Sequence, residues 1–298
     1  MERGRVRLGL TMLGSFIHAS HGVPDDQREP GLSDADQPAR HVLDIGLLQW
    51  DLDAQIGVHR RFAFELLFPI RTTIIDATFE DAEGAELPHV ESIHHRDETI
   101  AGMGDLTLGG RIALVLPENV PRWTLALRTG LAFPTGWVEP DPYALGEQGR
   151  DHQHMFFGSG TFDPVVGLDS NLMFDRWGLV GWTLAKVRPY ENHHGYRGST
   201  IVVGGVGAVS GFGLERWSFL VQPEVYFETP ARWSGAPDRN SGRTSLIAST
   251  GVFAMPADGW QIHLIAKFPY HTWARGGSLH WPFVAMLGFT WTIDARGS

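Results

Sequence analysis

Fourteen histidines are spread through the 298 residues, and three short stretches hold them in close pairs: His94 with His95, His152 with His154, and His193 with His194. Imidazole is the commonest protein ligand for zinc, copper and nickel, and Asp97, Glu98, Asp151 and Glu191 stand close enough in sequence to join or orient such a set. A zinc or copper site where these stretches converge is one reading. The plainer one is that polar loops facing water accept histidine, because adjacent rings do not easily turn to one ion. A second group consists of charges of both signs set singly among small and apolar residues: Glu65, Arg71, Asp105, Arg111, Arg128, Asp163, Asp169, Lys186, Glu224, Glu228 and Lys267, with Asp51 and Asp53. On one face of a wall they would either touch a solute or pair with one another. A hydrolase would need a nucleophile, a base and an orienting group; His263 with Ser218 or Ser249 can be named, but no spacing favours them. Gly204-Gly205-x-Gly207 has no following Lys, so it is not a phosphate loop. The absence of cysteine excludes thiolate metal sites, cysteine nucleophiles and disulfides. A net charge of −10 argues against a nucleic-acid partner.

The elements that must position these groups read as strands. From residue 42 onward apolar residues recur with period two in stretches of ten to fifteen, separated by turn formers. In Arg122 to Pro134, Trp123, Leu125, Leu127, Leu131 and Phe133 fall on one face and Thr124, Ala126, Arg128, Gly130 and Ala132 on the other. Phe219, Val221, Val225 and Phe227 likewise oppose Gln222, Glu224, Tyr226 and Glu228, and Trp281, Phe283, Leu287, Phe289, Trp291 and Ile293 share a side near the end. A soluble sandwich has the same period, but its second face meets bulk water. Here that face carries glycines, other small residues and isolated charges, as a confined polar lumen would, while the first face is almost purely apolar, as lipid contact requires.

Tryptophans mark strand ends. Trp123, Trp177, Trp217 and Trp260 each open a strand after a short turn, three of them behind an arginine, which predicts an aromatic girdle at a membrane interface. Trp137, Trp233, Trp273 and Trp281 lie near the other strand ends and are candidates for a second girdle. Tight turns alternate with longer connections, the pattern of periplasmic turns and outer loops. Reading 42–58, 61–78, 103–116, 122–136, 162–174, 178–191, 199–212, 216–229, 243–255, 259–272 and 279–293 as strands yields eleven. An even number is expected, so the fold is all-β: an antiparallel transmembrane up-and-down barrel of about twelve strands.

Arg3, Arg5 and Arg7 precede an apolar stretch from Leu8 to Ile17, so residues 1–21 have the layout of a secretory signal and also fit a first strand. Residues 22–41 read as an exposed segment, 42–293 as the barrel and 294–298 as a short tail. The acidic run Glu80, Asp81, Glu83, Glu86, Glu91, Asp97 and Glu98 reads as a solvated outer rim.

Three ordered motifs carry a family resemblance. Gly102-Met103-Gly104-Asp105-Leu106-Thr107-Leu108-Gly109-Gly110-Arg111, Gly130-Leu131-Ala132-Phe133-Pro134-Thr135-Gly136 and Gly158-Ser159-Gly160-Thr161-Phe162-Asp163-Pro164 resemble, in that order, segments of the bacterial outer-membrane barrels grouped with the meta-pathway phenol-degradation proteins. The resemblance extends loosely over residues 42–293. It implies an outer-membrane location and passage of small, often aromatic or hydrophobic solutes, and it carries no catalytic residues. The tail Asp294 to Ser298 departs from the aromatic ending of many such barrels. The partners expected are the lipid bilayer, lipopolysaccharide and a small solute. Besides the channel, a surface barrel binding metal through outer loops and an outer-membrane hydrolase are the alternative readings.

Overall fold

The computed structural model describes residues 3–23, 29, 31–33, 36–88, 90, 92–93, 95–116, 121–152, 154–211 and 214–294. His94 lies outside them. In chain order the strands are β1 Arg5–Gly22, β2 Arg40–His59, β3 Phe62–Glu80, β4 Glu98–Met103, β5 Thr107–Val115, β6 Arg122–Ala132, β7 Asp163–Met173, β8 Trp177–Lys186, β9 Tyr196–Arg197, β10 Ile201–Ser210, β11 Trp217–Glu228, β12 Arg232–Trp233, β13 Ala236–Pro237, β14 Arg243–Ala254, β15 Trp260–Ala274 and β16 Ser278–Asp294, with one short helix, α1 Pro142–Glu147. Neighbouring wall strands pair antiparallel, and β1 pairs with both β2 and β16, which closes the sheet. β4 and β5 lie end to end along β3, so the wall has twelve strands. The break falls where Pro69, which has no N–H to donate, stands on β3: residues 104–106 there face only residues 68 and 69. The extra residue turns Asp105 inward.

The segment that reads as a secretory signal or a first strand is strand β1, so the wall begins at Arg5, ahead of the residue 42 at which the alternation becomes regular. The segment 22–41 is not uniformly exposed. Glu29 is buried, its carboxylate accepting from Ser92 Oγ at 2.5 Å and Ile93 N at 3.1 Å.

The outward face carries Leu48, Leu52, Ile56, Phe64, Leu66, Val166, Leu168, Val221, Val225, Leu264 and Phe268, all exposed. A closed barrel satisfies every wall hydrogen bond internally, so such a face suits lipid and not water. Trp123, Trp177, Trp217, Trp260 and Trp291 ring the end that bears the short turns, all exposed, with Trp260 and Trp291 stacked. Both ends of the described wall, Arg5 and Asp294, pair at that same end.

β1, β2, β3, β15 and β16 have 18, 20, 19, 15 and 17 residues, against the ~9–11 that cross a bilayer. They project beyond it at the long-loop end, and there the polarity of the faces inverts. Exposed His18 points outward and bonds Asp44 at 2.8 Å, while Ile17, Leu43, Ile45, Ile75 and Ile100 turn inward and bury with Phe157. The lumen is therefore not polar along its whole length, as the mixed-charge pattern had predicted.

Two tryptophans also depart from the predicted outer girdle. Trp281 faces the lumen, its Nε1 donating to Ser15 Oγ at 2.5 Å. The reason is a bulge: Phe16 pairs with Phe283 but His18 with His280, so one extra residue on β16 reverses the alternation. Trp233 is buried in a small three-stranded ribbon, β9, β12 and β13, where it packs on Tyr196 and Phe156. Trp137 and Trp273 are exposed.

Candidate functional site: two cavities along a charge-paired lumen

The charged residues of the inner wall meet in clusters whose signs cancel. Nearest the short turns, Arg111 contacts Glu65 at 2.9 Å and Asp169 at 3.2 Å, and Arg128 contacts the same two acids at 3.6 and 3.2 Å. Alternation places all four inside: Glu65 on β3, Arg111 on β5, Arg128 on β6 and Asp169 on β7, with Arg111 and Arg128 directly paired in register. Gln55 donates to Glu65 at 2.6 Å. Across the barrel, Lys267 Nζ lies 2.7 Å from Glu224, which also accepts from Ser249 Oγ at 2.6 Å and Gln222 at 3.1 Å. Arg71 donates to Gln49 at 3.0 Å, and Gln49 to Asp51 at 2.8 Å.

A third cluster joins the wall to the long connection between β6 and β7. Asp163, fully buried, accepts from Thr161 Oγ1 at 2.6 Å and lies 3.4 Å from Lys186 and 3.3 Å from Arg188. Asp105 accepts from Gly136 N at 3.1 Å and from Ser159 N and Oγ at 2.9 Å, with Lys186 at 3.6 Å. Both ends of the connection are thus tied to two buried carboxylates. Gly136 and Gly158 then cross so closely that a Cβ on Gly158 would lie 2.4 Å from Gly136 O. This crossing drives Phe157 into the aliphatic cluster. The motifs that carried the family resemblance are, in the structure, the parts of this one tie.

Of the cavities along the barrel, two lie above its short-turn end. The inner one, about 440 Å³, is bounded by Arg7, Asp53, Glu65 and Arg128 with Val165, Leu184 and Met286. The outer one, about 370 Å³, sits beneath the long connections. One wall is aliphatic, from Ala19, Leu43, Ile45, Met155 and Leu279; the other holds Tyr143, Tyr196, Glu228, Asp238 and Arg243. Tyr143 donates to Asp238 at 3.0 Å. Burial pushes the Tyr143 phenol above its usual range, helped by Asp238, and pushes Tyr196 up to about 12, so both remain donors. Arg243 contacts Glu228 at 3.4 Å and lies over the rings of Tyr226 and Trp281 at 4.9 and 4.7 Å.

The sequence had singled out the charges but not the aliphatic wall, Tyr143, Tyr196 or Arg243. Among the described histidines of the three pairs, His95, His152 and His154 adjoin one another. His193 and His194 lie against each other, ring centroids 3.8 Å apart. His152 is buried beside His154, which lies beside His95, at 5.0 and 5.5 Å, and burial lowers the His152 imidazole below its usual range. His95 also meets His21 and His41 from β1 and β2. Of the hydrolase candidates, Ser249 is engaged with Glu224, and the His263 ring lies over Gly288, where a Cβ would fall 2.0 Å from it. The acidic run of the first outer loop is partly internal bonding: Arg96 contacts Glu98 at 3.1 Å, and Asp97 accepts from Ala77 N at 2.9 Å.

No protein-family model matches the chain, and no curated protein does. Among solved structures, it is similar to the COG4313 outer membrane channel from Pseudomonas putida F1, with 11% identity, a TM-score of 0.62, and 98% of this chain and 97% of that one covered. More distant likenesses are the P. putida toluene transporter TodX, at 10% identity, TM-score 0.47 and 97% and 90% coverage, and a Pseudomonas aeruginosa FadL homologue, at 10%, 0.45, 98% and 90%. The chain has the fold of an outer-membrane channel.

Proposed function

We propose that the protein is an outer-membrane channel for a small solute with an apolar, aromatic-sized body and a polar head. The observation that carries this reading is the outer cavity. Its aliphatic wall faces a wall of two phenols, an arginine and the two carboxylates Glu228 and Asp238, the composition of a site that orients a ligand by a few polar groups while burying the rest. Below it the lumen charges are paired, so they offer no strong field to repel either sign. The exposed apolar band meets bilayer lipid, and the strand extensions beyond it, with outward His18 and Asp44, lie at the level of lipopolysaccharide.

The probe of choice is benzenesulfonate, aromatic and permanently charged, so that it does not cross lipid unaided. Entry into proteoliposomes bearing the full chain should exceed that into protein-free liposomes, and Ala19→Trp, which fills the outer cavity, should slow it at least tenfold. Equal entry with and without protein would overturn the channel reading. An unslowed Ala19→Trp variant would overturn the role of the cavity.

A further inference from the structure

We infer that His21, His41 and His95 form a binding site for one transition-metal ion of the zinc and copper class at the outer mouth. The site does not depend on the transport reading. Its three residues come from three elements: His21 and His41 are direct cross-strand partners where β1 and β2 rise beyond the bilayer, and His95 comes from the connection between β3 and β4. One ring nitrogen from each lies within 4.8 Å of the other two. His21 Nε2 and His95 Nε2 are 3.2 Å apart. Two nitrogens bound to one tetrahedral zinc at ~2.05 Å would be separated by about 3.3 Å, so this pair already has the spacing an ion requires. His41 has a ring nitrogen within 4.8 Å of both, and binding would draw it in to that spacing.

Two further contacts prepare the ligands. The Nδ1–H of His21 donates to Gly22 O at 3.0 Å, which leaves its Nε2 lone pair directed at His95. A backbone carbonyl behind a metal-bound imidazole is the usual arrangement for setting its tautomer. The Glu29 carboxylate grips Ser92 and Ile93, and Ser92 Oγ accepts from His95 N at 3.1 Å, so a buried acid positions the segment that delivers the third ring. His41 is 1% exposed and packs edge-on against Phe79 and the other two rings. Nitrogen donors without a carboxylate in the trio select zinc, copper or nickel over calcium or magnesium. His21 and His95 also line the outer cavity, so the position left open by three ligands is reached from the mouth.

The test titrates the full-length barrel in detergent with ZnCl2 against a chromophoric chelator. One ion per chain should bind, His21→Ala and His95→Ala should each weaken it at least tenfold, and the double substitution His193→Ala with His194→Ala should leave it unchanged. Failure of the wild type to bind one equivalent more tightly than a variant lacking all three histidines would overturn the proposal, as would equal loss on removing His193 and His194. Should the single variants fail to fold, Cu²⁺ bound to the wild type decides: hyperfine coupling to three imidazole nitrogens supports the site, and coupling to fewer refutes it.

Discussion

Asp163→Asn tests whether the buried carboxylates hold the outer connection on the wall. Asparagine keeps the volume and an acceptor for Thr161 but removes the charge that faces Lys186 at 3.4 Å and Arg188 at 3.3 Å. Removing one partner of a buried ion pair typically costs ~3–5 kcal/mol, because a cation is left without compensation. Here the lower end applies, about 3 kcal/mol: Lys186 keeps Asp105 at 3.6 Å, and the two cations retain 23% and 15% of their side-chain exposure. That is about a hundredfold in the folding equilibrium. Reversible urea unfolding of the barrel in detergent, followed by tryptophan fluorescence, measures it directly. Adding Arg188→Gln to Asp163→Asn should cost much less than the sum of the two single substitutions, since the pair is then removed together. A loss under ~0.5 kcal/mol for Asp163→Asn, the size of an ordinary surface substitution, would refute the view that this carboxylate anchors the connection.

Two other substitutions probe the lumen and its cover. Glu224→Gln leaves Lys267 without its 2.7 Å partner; at ~8 Å in water one charge is worth about 0.5 kcal/mol to a passing ion and acts oppositely on cations and anions, so the permeability ratio should move about fivefold toward anions in low salt. Reversal-potential measurement reads this, and an unchanged ratio would show that ions do not pass this wall. Gly158→Ala drives a Cβ into the Gly136 backbone, so the connection between β6 and β7 should lift, Phe157 should leave its aliphatic cluster, and limited proteolysis should cut between residues 133 and 162 while the barrel stays intact. A digestion pattern identical to wild type would count against the crossing.

Much of the wall was legible because lipid enforces strict alternation. Arg122–Ala132 emerges where Trp123, Leu125, Leu127 and Leu131 predicted it, and the tryptophans at 123, 177, 217 and 260 mark one end as expected. Period two fails wherever the constraint changes. Along β2, Leu43, Ile45 and Leu47 turn inward while Leu48 and Leu52 face lipid, because the strand outruns the bilayer and apolar residues on either face look alike in sequence. Trp281 was misplaced by a bulge at Trp281-Pro282 opposite Ile17, where the proline is the only local sign of the extra residue and the apolar alternation on either side hides it. The histidine trio was legible only in part: His95 stood among the candidate ligands, whereas His21 and His41 meet it only through the register of two strands.

Entry of benzenesulfonate into proteoliposomes is the measurement that bears most directly on the central claim. Rapid entry with the wild-type chain, slowed at least tenfold by Ala19→Trp in a barrel that still shows heat-dependent mobility on detergent gels, is the expected result. Entry no faster than into protein-free liposomes would contradict it.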